Sequence, residues 1–235
     1  MQTMDIRYQA GGKTMTGYLA DGSKGDKAPG ILVCHQGMGL RDHEKERARM
    51  LAELGYVAFV MDLYGEVPTA RERMGELLNG CLNDLALWDE LILAGIAQLK
   101  AQPNVDVSRL AAIGFCFGGM TAIEAVRATD ELKCVVAFHP GLNHLPENDT
   151  RPVSGKVMVC AGQRDPLIPD DARNRFMRLM TEADADVQYL NYGEAGHSFT
   201  DKTVDAMGMP GFNYHAPTDR RSWAAMRGLF DETFA

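Results

Sequence analysis

Two kinds of apolar pattern alternate along this chain. Short β-branched or aromatic runs stand at 30–34, 56–61, 109–113, 134–138, 156–160 and 187–192, each of strand length. Between most of them lie longer stretches with helical spacing. Segment 42–55 puts Ala48, Leu51, Ala52 and Leu54 on one side and charges elsewhere, with Gly55 as its stop. Segment 82–100 predicts a long helix with an apolar face, packed on a sheet. Segment 219–234 places Trp223, Met226, Phe230 and Phe234 three or four residues apart, a closing helix that needs a surface to cover.

Strands alternating with helices predict an α/β fold, a mostly parallel central sheet with right-handed crossovers and helices on both faces. The opening segments "MDIRYQA" and "KTMTGYLA" alternate instead like an antiparallel pair, with Gly11 and Gly12 as the turn. The expected sheet therefore has an antiparallel N-terminal edge. With no repeat, low-complexity tract or linker, residues 1–235 read as a single domain, and 141–155 as a surface connection within it.

Composition narrows the function classes. Apolar residues make up 46% and charged residues 24%, ordinary for a globular enzyme. A formal net charge of −8, with no Lys/Arg run, predicts no nucleic-acid partner. No apolar run approaches the roughly 20 residues of a membrane span, so no membrane partner is expected. The N-terminal segment has neither a basic nor an apolar leader region, and the expectation is a cytoplasmic protein. Five cysteines, with no Cys-x-x-Cys spacing, suit reduced thiols. Cys34, Cys134 and Cys160 fall in strand-like runs and read as core; Cys116 has different surroundings.

Residues 112–119, "AIGFCFGG", predict a strand, a tight turn and a helix, with Cys116 at the apex. Gly114 and Gly118 flank it two residues away on either side, where side chains would crowd a sharp turn. A sulfur so placed sits at a helix N-terminus, which favours an anion. Making the thiolate a hundredfold more available takes about 2.7 kcal/mol, more than a helix terminus supplies, so a charged partner is required. A close-packed turn without chemistry would look the same locally, and companions decide between the two.

Two companions stand downstream, each just after a strand: Asp165 in "AGQRDPLIP" and His197 in "GEAGHSF". The order Cys116, Asp165, His197 is the one a nucleophile elbow requires, with His197 pairing the sulfur through one ring nitrogen and Asp165 through the other. The backbone N–H groups of Phe117 and Gly37 are the candidate oxyanion donors.

These motifs, together with "DLYG" (62–65) and the closing "DRRSWAAMRGLF", resemble the dienelactone hydrolase family of the α/β-hydrolase fold over almost the whole chain. The resemblance implies a Cys-Asp-His triad at Cys116, Asp165 and His197. It also marks two departures. Gln36 stands where that family has a glutamate, and Gln36 can neither titrate nor act as a base. Asp201 stands where the family has an arginine for a substrate carboxylate. The expected pocket, Gln36, Met38, Leu40, Tyr64, Ile168 and Phe199, is mainly apolar and suits a neutral ester or lactone. Some hydrolases similar to this family also cleave phosphotriesters with the same nucleophile and no metal.

The reading is a metal-independent hydrolase without a cofactor, a monomer or a homodimer. A metal hydrolase is the first rival, but the six histidines form no His-x-His or His-Glu-x-x-His pattern. His139 and His144, which flank a Pro-Gly turn, read as structural. A non-catalytic binder or a thiol redox sensor is the rival of another class. Segment 206–217 reads equally as a partial lid over the site or as an anchored surface connection.

Overall fold

A computed structural model describes residues 1–142 and 151–235. His144 and most of the connection expected at 141–155 lie outside the described residues. By internal contacts the chain divides into two compact units, Met1–Ile113 and Gly114–Ala235.

The first unit opens with the expected hairpin, β1 (Gln2–Ala10) and β2 (Lys13–Asp21). Ala10 faces Lys13 in the register, and the turn between them is Gly11 and Gly12 at φ 55° and 68°. Both turn residues need positive φ, and glycine supplies it without steric cost. β3 (Ala28–Cys34), α1 (Asp42–Glu53), β4 (Val57–Val60), α2 (Arg71–Leu82), α3 (Leu85–Lys100) and most of β5 (Val105–Phe115) follow. The strands lie in the order β1-β2-β4-β3-β5. β2 pairs with β1 and β4 antiparallel, and β3 with β4 parallel, so the antiparallel edge is as expected.

One element departs from the expected pattern. The apolar stretch at 82–100 is a helix from Leu85 only, with Asp84 as its cap: the Asp84 carboxylate accepts the Leu87 N–H at 3.0 Å. Upstream lies the separate helix α2, whose Met74, Leu77, Leu78 and Cys81 stand at i, i+3, i+4 and i+7. Asn83 and Asp84 break the run because their side chains compete for backbone partners.

The second unit holds the end of β5, α4 (Phe117–Ala128), β6 (Leu132–Phe138), β7 (Lys156–Gly162), α5 (Asp170–Glu182), β8 (Val187–Tyr192) and α6 (Ala216–Phe234). Its strands lie in the order β5-β6-β7-β8, with β6/β7 and β7/β8 parallel. α4 is buried along nearly its whole length, wider than the inward face expected of Ala122, Ile123, Ala125 and Val126. Met226 and Phe230 of α6 are fully buried, and the Trp223 ring stacks on Phe138 at 6.4 Å. The architecture is the expected α/β class, a mostly parallel eight-stranded sheet with an antiparallel edge.

Parallel strands send their C-terminal ends to one side, where the loops that follow them gather. Cys116 follows β5, His139 follows β6, Asp165 follows β7 and His197 follows β8. Among the described residues no helix is long and apolar enough to cross a membrane.

Candidate active site

Cys116 caps α4 at φ 53° and ψ −117°, a conformation that L-residues adopt at a cost of about 1–3 kcal/mol. The reason for Gly114 is steric: a Cβ there would lie 1.8 Å from the Gly118 carbonyl oxygen. Gly119 allows a second close approach, since its Cβ would meet Pro140 at 3.0 Å and the Phe138 carbonyl at 3.2 Å. The Gly119 N–H closes the turn on the Cys116 carbonyl at 2.9 Å, and the Cys116 N–H donates to the Phe138 carbonyl at 3.0 Å. Of the five cysteines only Cys116 is half-buried; the other four are buried. Burial pushes the Cys34 thiol well above its ordinary range, Cys81 to about 11, and Cys134 and Cys160 to about 12. Those four are inert core thiols, as expected for three of them.

Asp165 is set by the loop leaving β7. Its N–H donates to the Gly162 carbonyl at 3.2 Å, and its Oδ1 accepts the Leu167 N–H at 2.8 Å. The other oxygen, Oδ2, lies 2.8 Å from His197 Nδ1, and both side chains are completely buried. Backbone bonds from Arg164 N–H to Ala195 O (2.9 Å) and from Gln163 N–H to Tyr192 O (2.9 Å) tie the aspartate loop to the histidine loop. Gly162 makes that approach possible, because a Cβ there would lie 2.4 Å from the Ala195 carbonyl.

His197 is held on both sides of its backbone. Its N–H donates to the Gly211 carbonyl at 2.7 Å, and its carbonyl accepts the Asn213 N–H at 3.1 Å. The Phe212 ring lies 4.7 Å from the imidazole. Residues 211–213 are therefore a brace for the histidine, and His215 adds a bond to the Phe199 carbonyl at 3.1 Å. That is the anchored alternative for this part of 206–217.

The electrostatics of His197 are informative. Complete burial by itself pushes the imidazolium down, but the charge of Cys116, hydrogen bonds with Asp165 and Cys116, and the charge of Asp165 outweigh it. The result is a histidine held up to about 10, against an ordinary value near 6.5. Of the two links to Cys116, the charge of the sulfur contributes more than the hydrogen bond. A group protonated beside a sulfur and oriented by a buried carboxylate can exchange one proton with a substrate.

The other expected residues divide between the two units. Phe117, buried, opens α4 immediately after Cys116; Ile168 and Phe199 are buried in the same unit, with the Phe199 ring 5.0 Å from that of His139. Gln36, Gly37, Met38, Leu40 and Tyr64 belong to the first unit, all but Tyr64 in the loop leaving β3. Glu44 of α1 spans that loop, accepting the Gln36 N–H on Oε1 (3.2 Å) and the Arg41 N–H on Oε2 (3.0 Å). His35 is a neutral clamp: Nδ1 donates to Gln36 O at 2.6 Å, Nε2 accepts the Leu63 N–H at 3.1 Å, and burial keeps the ring's basicity low. A Cβ on Gly37 would touch Met74 Sδ at 3.4 Å and Leu78 Cδ1 at 3.6 Å, so α2 covers this loop. Met74 and Leu78 were not among the expected pocket residues, although their helical spacing was there to be read. The described residues bring together no three His, Cys, Asp or Glu side chains able to hold a metal ion.

The chain is similar to known proteins along nearly its whole length. The family model described as "Dienelactone hydrolase family" matches residues 15–234. A solved structure named m3DLH is 44% identical, with a TM-score of 0.94 over 100% of this chain and 99% of that one. Another, described as a dienelactone hydrolase-like promiscuous phosphotriesterase from metagenomic libraries, is 36% identical, with a TM-score of 0.92 over 99% of this chain and 98% of that one. A Yersinia pestis protein named "Putative carboxymethylenebutenolidase" is 28% identical over 218 residues, 87% of this chain and 78% of its own.

Proposed function

The chain belongs to the dienelactone hydrolase family, with the α/β-hydrolase fold, and from that premise we propose a hydrolase of neutral carboxylic esters and lactones acting through a covalent Cys116 intermediate. The observation that carries this reading is the buried Asp165–His197 pair, 2.8 Å apart, whose histidine is held up to about 10 by the sulfur and the carboxylate. By reciprocity, an imidazolium stabilised by the sulfur's charge stabilises the thiolate. Gln36 has no proton to exchange, so His197 serves as the proton store.

In this scheme the Cys116 thiolate attacks the acyl carbon, and the Phe117 N–H, which follows it at the start of α4, holds the oxyanion. Collapse breaks the bond to the leaving oxygen, which takes the His197 proton and departs as an alcohol. Neutral His197 then accepts a proton from water as the oxygen attacks the thioester. The second collapse expels the thiolate and releases the acid, restoring the thiolate–imidazolium pair. Asp165 keeps the ring oriented with Nε2 toward the sulfur throughout. A lactone follows the same path, its alcohol remaining attached to the acid.

Ile168 and Phe199, apolar residues of the same unit as Cys116, would line the site there, and no cation stands at the Asp201 position for a substrate carboxylate. This supports neutral substrates. A second reading, phosphotriester cleavage by the same thiolate, is favoured by the 36% identical phosphotriesterase neighbour.

Stopped-flow release of nitrophenol from a short-chain nitrophenyl ester tests the first reading. The native protein should give a burst of about one equivalent, and Cys116→Ala none, with turnover lower by about a thousandfold or more. Equal slow rates in the two proteins would overturn it. The same pair on a nitrophenyl dialkyl phosphate tests the second.

A further inference from the structure

The mechanism above leaves His139 unused, yet this side chain touches both halves of it. His139 follows β6, is completely buried, and has φ 40°. Its Nδ1 accepts the backbone N–H of Cys116 at 3.1 Å, alongside the Phe138 carbonyl that accepts the same N–H at 3.0 Å. Its Nε2 lies 2.8 Å from Thr200 Oγ1. Because Nδ1 accepts, the ring proton must be on Nε2, which donates to the threonine. The His139 ring also meets the His197 ring edge-on, with centroids 5.2 Å apart.

Thr200 lies three residues beyond His197 in the same loop. The chain of bonds Cys116 N–H to His139, then His139 to Thr200, therefore ties the elbow to the histidine loop. Backbone strain is concentrated along the same path. Of the five non-glycine residues described with positive φ, Cys116, His139 and Ser198 fall here, and only Lys24 and Asp184 do not. Strained conformations persist where surrounding bonds over-determine them, and a second acceptor on the Cys116 N–H is such a bond.

We infer that His139 is a positioning residue, held in one tautomer by Thr200, that fixes the Cys116 backbone and spaces the sulfur from the His197 ring. This rests on the reading of Cys116 as nucleophile. The elbow retains the Phe138 carbonyl when His139 is changed, so loss of the imidazole loosens the alignment of the attack without removing the turn.

The test is the burst rate constant for the nitrophenyl ester in four variants, with KM and the melting temperature measured alongside. Thr200→Val, isosteric but without the hydroxyl, should slow the burst about tenfold with KM within about twofold, and Thr200→Ser should restore it. His139→Leu should slow it about a hundredfold; His139→Asn, whose Oδ1 can accept the Cys116 N–H and which tolerates positive φ, should return to within about threefold of native. Native burst rates in both Thr200→Val and His139→Leu would overturn the inference, as would equal losses in His139→Asn and His139→Leu. If His139→Leu does not fold, the Thr200 pair decides alone. Absence of a burst in the native protein would instead overturn the reading of Cys116.

Discussion

At the residue scale, His197 makes the protein's stability depend on pH in a defined direction. It binds its proton more tightly folded, at about 10, than in the unfolded chain, near 6.5. Taken alone, such a group contributes stability that is complete below about 6.5 and is lost as pH rises through about 10. The sulfur narrows the window from below. On the proposed thiolate–imidazolium reading, between about 6.5 and 8.5 the unfolded chain carries one proton on Cys116 and the folded pair one on His197, so nothing is gained or lost. Above about 8.5 the unfolded chain holds neither proton while the folded pair keeps its own up to about 10. That interval is worth on the order of 2 kcal/mol, or roughly 5 °C for a chain of this size. Removing the sulfur leaves the carboxylate as the main offset to burial, and His197 loses much of its hold on the proton. The melting temperature of the native protein should therefore fall from pH 8.5 to 10.5 by roughly 5 °C more than that of Cys116→Ala. Parallel curves would mean that the sulfur and the imidazole are not an ion pair in the folded chain.

At the scale of elements, much of the architecture was legible because the strands are short, apolar and β-branched, a pattern that survives without tertiary context. The hairpin and its Gly11-Gly12 turn, the run at 187–192 and the helix from Asp42 match the structure closely. β5 begins at Val105, ahead of the expected run at 109–113, because Val105 is buried while Asp106, Val107, Ser108 and Arg109 stay partly in water and interrupt the apolar pattern. The division of 71–100 into α2 and α3 was harder to see, since no Gly or Pro stands at the break, which rests on Asp84 capturing the Leu87 N–H as a cap. Glycines make the contrast between elements measurable. Gly114→Ala forces a Cβ to within 1.8 Å of the Gly118 carbonyl, backbone against backbone, so the turn cannot relax around it. A loss of about 3 kcal/mol or more, together with the ester burst, is expected. Gly228 of α6 has nothing within 4 Å of its Cβ position, and Gly228→Ala should stabilise by about 0.5–1 kcal/mol with the burst unchanged. Denaturant melts of the two variants check both signs, and a destabilised Gly228→Ala would show that α6 is under a constraint the packing does not reveal.

For the molecule as a whole, strand order converts distant sequence positions into a site. Cys116, Asp165 and His197 could be proposed from the sequence because each stands directly after an apolar run, and the loops after neighbouring parallel strands gather on one side. The part played by His139 could not be found that way, since its partners Cys116 and Thr200 lie 23 and 61 residues off and nothing in "FHPG" reports either. Domain organisation is the remaining question at this scale. The sequence reads as one domain over 1–235, whereas internal contacts mark units at 1–113 and 114–235. β5 bears on the answer, because its 11 residues, Val105–Phe115, run through the boundary at Ile113. Melting one unit alone would leave part of a continuous strand with backbone N–H and C=O groups stripped of their ladder partners, which couples the fate of the two units through the chain itself. The expected outcome is a single calorimetric transition whose enthalpy equals the van't Hoff value. Two resolved transitions, or a protease-resistant fragment ending near Ile113, would replace the one-domain reading by two folding units joined within a strand.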